Sequence, residues 1–153
     1  HASTLPLNLN QGTLVANESD QPDSVSPFGA PGNVLTIAPK NAVLDFVGTY
    51  SNTPLAPAIH LNNATGVDFR GALWRTTSTG TLTRSGPIDL GSDHSILGAA
   101  ALFDPSRPAS FQLTGPLSGG GLTTIGIVTL TNPNNTVSVR RTTSSNRHRS
   151  VAA

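Results

Sequence analysis

The sequence predicts an all-β fold: an antiparallel β-sandwich or jelly roll of about eight to ten short strands with little or no helix. Apolar residues alternate with polar ones over most of the chain, which is the pattern of half-buried strands. Turn-forming Gly, Pro and Asn clusters interrupt this pattern every ~10 to 20 residues. Charged residues are only 11% of the 153 residues. This composition disfavours a charged helical bundle.

The predicted strands differ in how continuous their apolar residues are. Alternation predicts strands with one buried face at Leu5–Leu9, Ile59–Leu61, Val67–Leu73, Phe111–Leu113 and Val137–Val139. Ala42–Val47 and Ile125–Leu130 are nearly continuous apolar runs. These two runs predict strands that are buried on both faces or lie at a subunit contact.

One segment allows two interpretations. Ile96–Phe103 contains three consecutive alanines and follows Ser92, Asp93 and Ser95, which could cap a helix. A buried strand whose small residues face a neighbouring backbone explains the segment equally well.

Four regions follow from shifts in composition. We expect a strand or shaft-like segment at 1–16, a linker or long loop at 17–33, a β-sandwich domain at 34–140 and a mobile basic tail at 141–153. Gly-Pro-Ile at 86–88 recurs as Gly-Pro-Leu at 115–117. We interpret this recurrence as a turn signature and not as a solenoid period.

No pattern in the sequence predicts catalysis, a cofactor or a metal site. The chain has no cysteine, and its aspartates are scattered over different predicted strands and turns. Asp93-His94-Ser95 places three catalytic residue types side by side, but adjacent side chains point in different directions and no G-x-S-x-G elbow is present. We therefore expect a protein that is not an enzyme and needs no cofactor.

Four residues are candidates for facing a ligand: His60, Trp74, Arg75 and His94. His60 alternates out of phase with Ile59 and Leu61, so it should face solvent or a partner. Trp74 is the only tryptophan, and sugar-binding sites often present an aromatic face to water.

An oligomer is predicted from the uncharged segment Leu122–Leu130. A strand that is apolar on both faces needs a cover, and a symmetric copy would supply it. We expect a homo-oligomer, most simply a trimer, with Ile125, Ile127, Val128 and Leu130 as its interface. The basic tail could contact phosphates, but the body of the chain is slightly acidic, so we do not expect nucleic acid as a partner. No apolar run is long enough to predict membrane insertion.

Leu5–Leu14 alternates leucines with polar residues up to a glycine-containing turn and resembles a shaft repeat of trimeric viral fibres of the adenovirus type. The resemblance implies a viral or phage capsid, fibre or spike domain at the virion surface that takes part in assembly, receptor binding and host attachment. The alternative is a monomeric carbohydrate-binding or adhesin module of a secreted or cell-surface protein.

Overall fold

The computed structural model describes residues 6–17, 32–47, 57–67, 70–76, 81–99 and 110–142. These residues form fourteen β-strands and no helix. The strands are β1 (Leu7–Leu9), β2 (Gly12–Asn17), β3 (Val34–Ile37), β4 (Ala42–Val47), β5 (Ala58–His60), β6 (Leu73–Arg75), β7 (Thr81–Arg84), β8 (Ile88–Asp89), β9 (His94–Ala99), β10 (Ser110–Leu113), β11 (Leu117–Ser118), β12 (Gly121–Ile125), β13 (Ile127–Leu130) and β14 (Ser138–Thr142).

All strand pairs in the described residues are parallel, and they form three sheets. The five-stranded sheet has the order β1-β3-β5-β8-β11 and the six-stranded sheet β14-β12-β9-β6-β4-β2. The three-stranded sheet has the order β13-β10-β7. Consecutive strands therefore lie in different sheets, and each strand pairs with strands of neighbouring coils. This arrangement is a parallel β-solenoid.

The prediction of an antiparallel sandwich or jelly roll is wrong, although the all-β prediction is confirmed. Alternation with a period of two is common to parallel and antiparallel strands, so it cannot distinguish them. In a solenoid, each coil returns the chain to the same sheet in the same direction, so strands of successive coils pair in parallel. Along the five-stranded sheet, Leu7, Leu35, Ile59, Ile88 and Leu117 are successive partners, separated by 28, 24, 29 and 29 residues.

The repeated Gly-Pro pair marks this coil, so its interpretation as a mere turn signature is also wrong. Ile88 and Leu117 pair directly, and the Ile88 N–H donates to the Pro116 carbonyl at 3.0 Å. A Cβ on Gly115 would collide with the backbone of Gly86 one coil away. Glycine is therefore required where successive turns stack this closely.

The hydrophobic core fills the space between the sheets. Inward residues of the five-stranded sheet are Leu35, Ile37, Ile59, Leu61, Ile88, Leu90 and Leu117. They pack with residues of the other two sheets, including Leu44, Phe46, Leu73, Leu97, Leu82 and Phe111. Phe46 and Phe111 meet edge to face, with ring centroids 5.8 Å apart. Burial of this one continuous cluster stabilises all coils together.

Ile96–Phe103 is not a helix in its described part, because residues 94–99 form β9 in the middle of the six-stranded sheet. Residues 100–103 lie outside the described residues. The first two strands pair with β3 and β4 and so form the first coil of the same solenoid. Most of the predicted linker (18–31) and residues 143–153 of the predicted tail also lie outside the described residues.

Candidate binding face on the five-stranded sheet

The outer face of the five-stranded sheet carries a row of polar side chains, which we call the polar row. Its members occupy one register position on successive strands and are Asn8, Thr36, His60, Asp89 and Ser118. The core residues of this sheet lie next to them in the chain: Leu35, Ile37, Ile59, Leu61, Ile88, Leu90 and Leu117. Because side chains alternate across a strand, the five polar residues point outward together.

His60 and Asp89 form the centre of the polar row. His60 Nδ1 lies 3.7 Å from Asp89 Oδ2, and the two side chains are 45% and 42% exposed. The other carboxylate oxygen of Asp89 accepts a hydrogen bond from the Gly91 N–H at 3.0 Å. This bond fixes the carboxylate at the turn that leads into the six-stranded sheet. Both side chains remain available to a ligand.

An apolar row runs beside the polar row. Its members lie two residues before those of the polar row in the chain and are Val34, Ala58, Pro87 and Pro116. Val34 pairs with Ala58. The residue one position before Ile88 is Pro87, whose carbonyl accepts from the Ile59 N–H at 2.9 Å, and Pro116 follows one coil later. Val34 and Ala58 are half-buried, and both prolines are exposed. The face therefore offers hydrogen-bonding groups on one side and flat apolar surface on the other.

The structure does not bring the four candidate ligand-facing residues together. His60 lies in the polar row, whereas Trp74 lies on the outer face of the six-stranded sheet and is only 5% exposed. Arg75 points into the core, is fully buried and donates from Nη1 to the Ser110 carbonyl at 3.3 Å. His94 is the first residue of β9, with Nε2 2.9 Å from Thr123 Oγ1.

Trp74 belongs to a covered layer on the six-stranded sheet. It clusters with buried Val43 and with half-buried Val67 and Ile125. Beside this cluster, Asp45 is buried on the same face and accepts from both the N–H and the hydroxyl of Thr76. Arg70 Nη1 lies 3.6 Å from Asp45 Oδ2. These contacts hold Val67 and Arg70 against the outer face of the sheet, so we assign this covered layer to stability.

The predicted oligomer interface is divided between two sheets. Gly126, with a positive φ of 74°, separates β12 from β13. Ile125 thus joins the covered layer of the six-stranded sheet, while Ile127 is exposed on the three-stranded sheet. Val128 and Leu130 pack on the core. The expectation of a trimer is untested by this placement, but the four side chains do not form one surface.

Sequence reasoning found His60 but not its partner. The aspartates are scattered along the sequence, and nothing local to Asp89 indicates that it lies beside His60. One of its oxygens accepts from the Gly91 N–H, and the other lies 3.7 Å from His60 Nδ1. The signal for the pair was the coil repeat that begins at Gly86, since it sets the register of His60 against Asp89. Within the described residues, no group of three or more His, Asp or Glu side chains could hold a metal ion.

The chain matches no protein-family profile, no curated protein and no solved structure. No helix in the described part of the chain is long and apolar enough to cross a membrane. The jelly-roll and sandwich assignments are overturned by the parallel sheets. None of these findings tests the resemblance at residues 5–14 or the viral capsid, fibre and spike assignment, and nothing in the parallel-strand structure supports that assignment.

Proposed function

We propose that this domain is a non-enzymatic recognition module of a secreted or cell-surface protein. In this proposal it binds an extended carbohydrate along the outer face of the five-stranded sheet. The observation that carries the proposal is the exposed His60–Asp89 pair within a continuous polar row.

The spacing of the row suits an extended ligand. Neighbouring strands lie about 4.8 Å apart, so the five side chains present donors and acceptors at regular intervals along the solenoid. Asn8, Ser118 and Thr36 supply neutral amide and hydroxyl groups on either side of the His60–Asp89 pair. Sugar hydroxyls are both donors and acceptors and can therefore bind either kind of group.

The apolar row would contact the C–H faces of the same ligand. Both prolines of this row are exposed, and they have no side-chain rotamer freedom to lose on binding. The polar row is held by the parallel ladder beneath it, so its geometry exists before the ligand arrives. Such preorganisation reduces the entropic cost of binding.

The proposal is tested with two soluble polysaccharides, neutral hydroxyethyl cellulose and acidic hyaluronan, by affinity electrophoresis and calorimetry. His60→Ala and Asp89→Asn should each weaken binding by about tenfold, the equivalent of ~1.4 kcal/mol. Asp89→Asn keeps an acceptor for the Gly91 N–H, so the turn should remain intact.

Gln112→Ala is the matched control, because Gln112 lies on the outer face of the three-stranded sheet, where Thr83 Oγ1 donates to its Oε1 at 3.3 Å. The control should bind like the wild type. If neither polysaccharide binds, or if His60→Ala and Gln112→Ala bind equally well, the proposed site is wrong.

A further inference from the structure

Each coil of the solenoid contributes one polar and one apolar side chain to the outer face of the five-stranded sheet. The polar row has one member on each of the five strands, and the apolar row supplies the residue two positions earlier. Pro6 is exposed and occupies the same place before Asn8 on the first coil. The five pairs are Pro6 with Asn8, Val34 with Thr36, Ala58 with His60, Pro87 with Asp89, and Pro116 with Ser118.

These pairs repeat with the dimensions of a sugar chain. Successive pairs are separated by the strand spacing, about 4.8 Å, and the two members of a pair by two residues of a parallel strand, about 6.6 Å. In an extended β-1,4-linked glucan each pyranose ring advances the chain by nearly the first distance, and the ring is about as wide as the second. Both edges of the ring carry hydroxyls and both faces carry C–H groups, so every ring can contact both rows.

The charges of the two rows favour a neutral ligand. None of the ten side chains is a lysine or an arginine, and Asp89 is the only carboxylate among them. The Asp89 side chain is 42% exposed at the centre of the face, where it would repel the carboxylate of an acidic sugar. The other polar groups are amide, hydroxyl and imidazole, which can exchange hydrogen bonds with sugar hydroxyls.

We propose that this face consists of five consecutive positions for a neutral, extended β-1,4-linked glucan, with one sugar ring on each coil. The glycan then lies parallel to the solenoid axis. This inference rests on the proposed function and adds the charge, the direction and the minimum length of the ligand. Asn8 and Ser118 are both exposed, so the outermost of the five positions are as open to a ring as the central ones.

A length series tests the direction of the ligand. Calorimetry with β-1,4-linked glucose oligomers of two to five units should show an affinity that rises with each added ring, by about tenfold or more overall. The affinity rises because each ring contacts one further coil. If hydroxyethyl cellulose binds but the five-unit oligomer binds no more tightly than the two-unit oligomer, the glycan crosses the row. That result overturns this inference and leaves the proposed carbohydrate site in place.

Substitutions at the outermost positions give the second readout. Asn8→Ala and Ser118→Ala should each weaken binding of the five-unit oligomer by about fivefold, the effect of one lost hydrogen bond. Neither should change binding of the two-unit oligomer, which can occupy the remaining coils. Thr129→Ala is the matched control, because Thr129 is also exposed but lies on β13 of the three-stranded sheet, and it should bind both oligomers like the wild type.

The remaining outcomes separate this inference from the proposed function. If Asn8→Ala and Ser118→Ala bind the five-unit oligomer like the wild type, the arrangement of one ring on each coil is wrong. If hyaluronan binds more tightly than hydroxyethyl cellulose, the ligand is not neutral, although the carbohydrate site stands. If neither polymer binds, the proposed function is wrong and this inference is wrong with it.

Discussion

The indole of Trp74 lies directly against the backbone of Gly98 on the neighbouring strand of the six-stranded sheet. The two residues are register partners, and a Cβ added to Gly98 would lie 2.6 Å from Cε3 of the indole and closer still to Cζ3. Glycine is needed here for space, because a side chain at residue 98 would occupy the position of the indole ring. The same ring belongs to the buried cluster with Val43. This contact makes the covered layer compact.

Gly98→Ala should therefore destabilise the protein by about 1 to 3 kcal/mol, because the ring must move to relieve overpacking. Denaturant unfolding monitored by Trp74 fluorescence measures the loss and also reports the altered position of the ring. Gly32→Ala is the control, since an added Cβ there meets nothing within 4 Å. If the two variants were equally stable, the covered layer would accommodate the added methyl group without loss of stability, and the overpacking argument would be wrong.

Asp45 should contribute more to stability than its ionic partner. Asp45→Ala removes the acceptor for the Thr76 N–H and hydroxyl in a buried position, and we expect a loss of about 1 to 3 kcal/mol. Arg70→Gln should cost less than about 1 kcal/mol, because Arg70 is 36% exposed and solvent screens its charge. Chemical unfolding of both variants compares the loss of the buried hydrogen bonds with the loss of the Arg70–Asp45 ion pair. A larger loss for Arg70→Gln would mean that the ion pair dominates.

Arg84 should be essential to the core. Its side chain is fully buried, and Nη2 donates to the Pro57 carbonyl, which ties β7 to the residue just before β5. Arg84→Ala leaves a cavity and breaks this bond, so we expect a loss of about 3 kcal/mol or more. Arg140→Ala, at an exposed position of β14, should change stability by less than about 0.5 kcal/mol. Thermal unfolding compares them, and similar midpoints would contradict the structural role of Arg84.

Asn135 should protect one particular amide. In Asn135→Ala the Leu117 N–H loses its acceptor, so its hydrogen exchange should accelerate and stability should fall by about 1 kcal/mol. Asn134→Ala is the control, because Asn134 is exposed in the adjoining turn. Unchanged hydrogen exchange at the Leu117 N–H in Asn135→Ala would show that Asn135 does not protect this amide in solution.

Around His60, the sequence pattern alone was enough to predict which residues point inward. The alternation around His60 placed Ile59 and Leu61 in the core and the imidazole outside, and both placements agree with the structure. Such predictions succeed because side chains alternate across any strand, whatever its partner.

Which strands pair, and in which direction, depends on contacts between coils that are distant in the chain. His60 and Asp89 are 29 residues apart in the chain, and the coil that aligns them varies in length from 24 to 29 residues. Arg75 illustrates the same limit, because its side chain is buried by strands from other coils that no local pattern identifies. Alternation specifies the face of a strand, but register and direction depend on long-range backbone hydrogen bonds, which leave no local trace in the sequence.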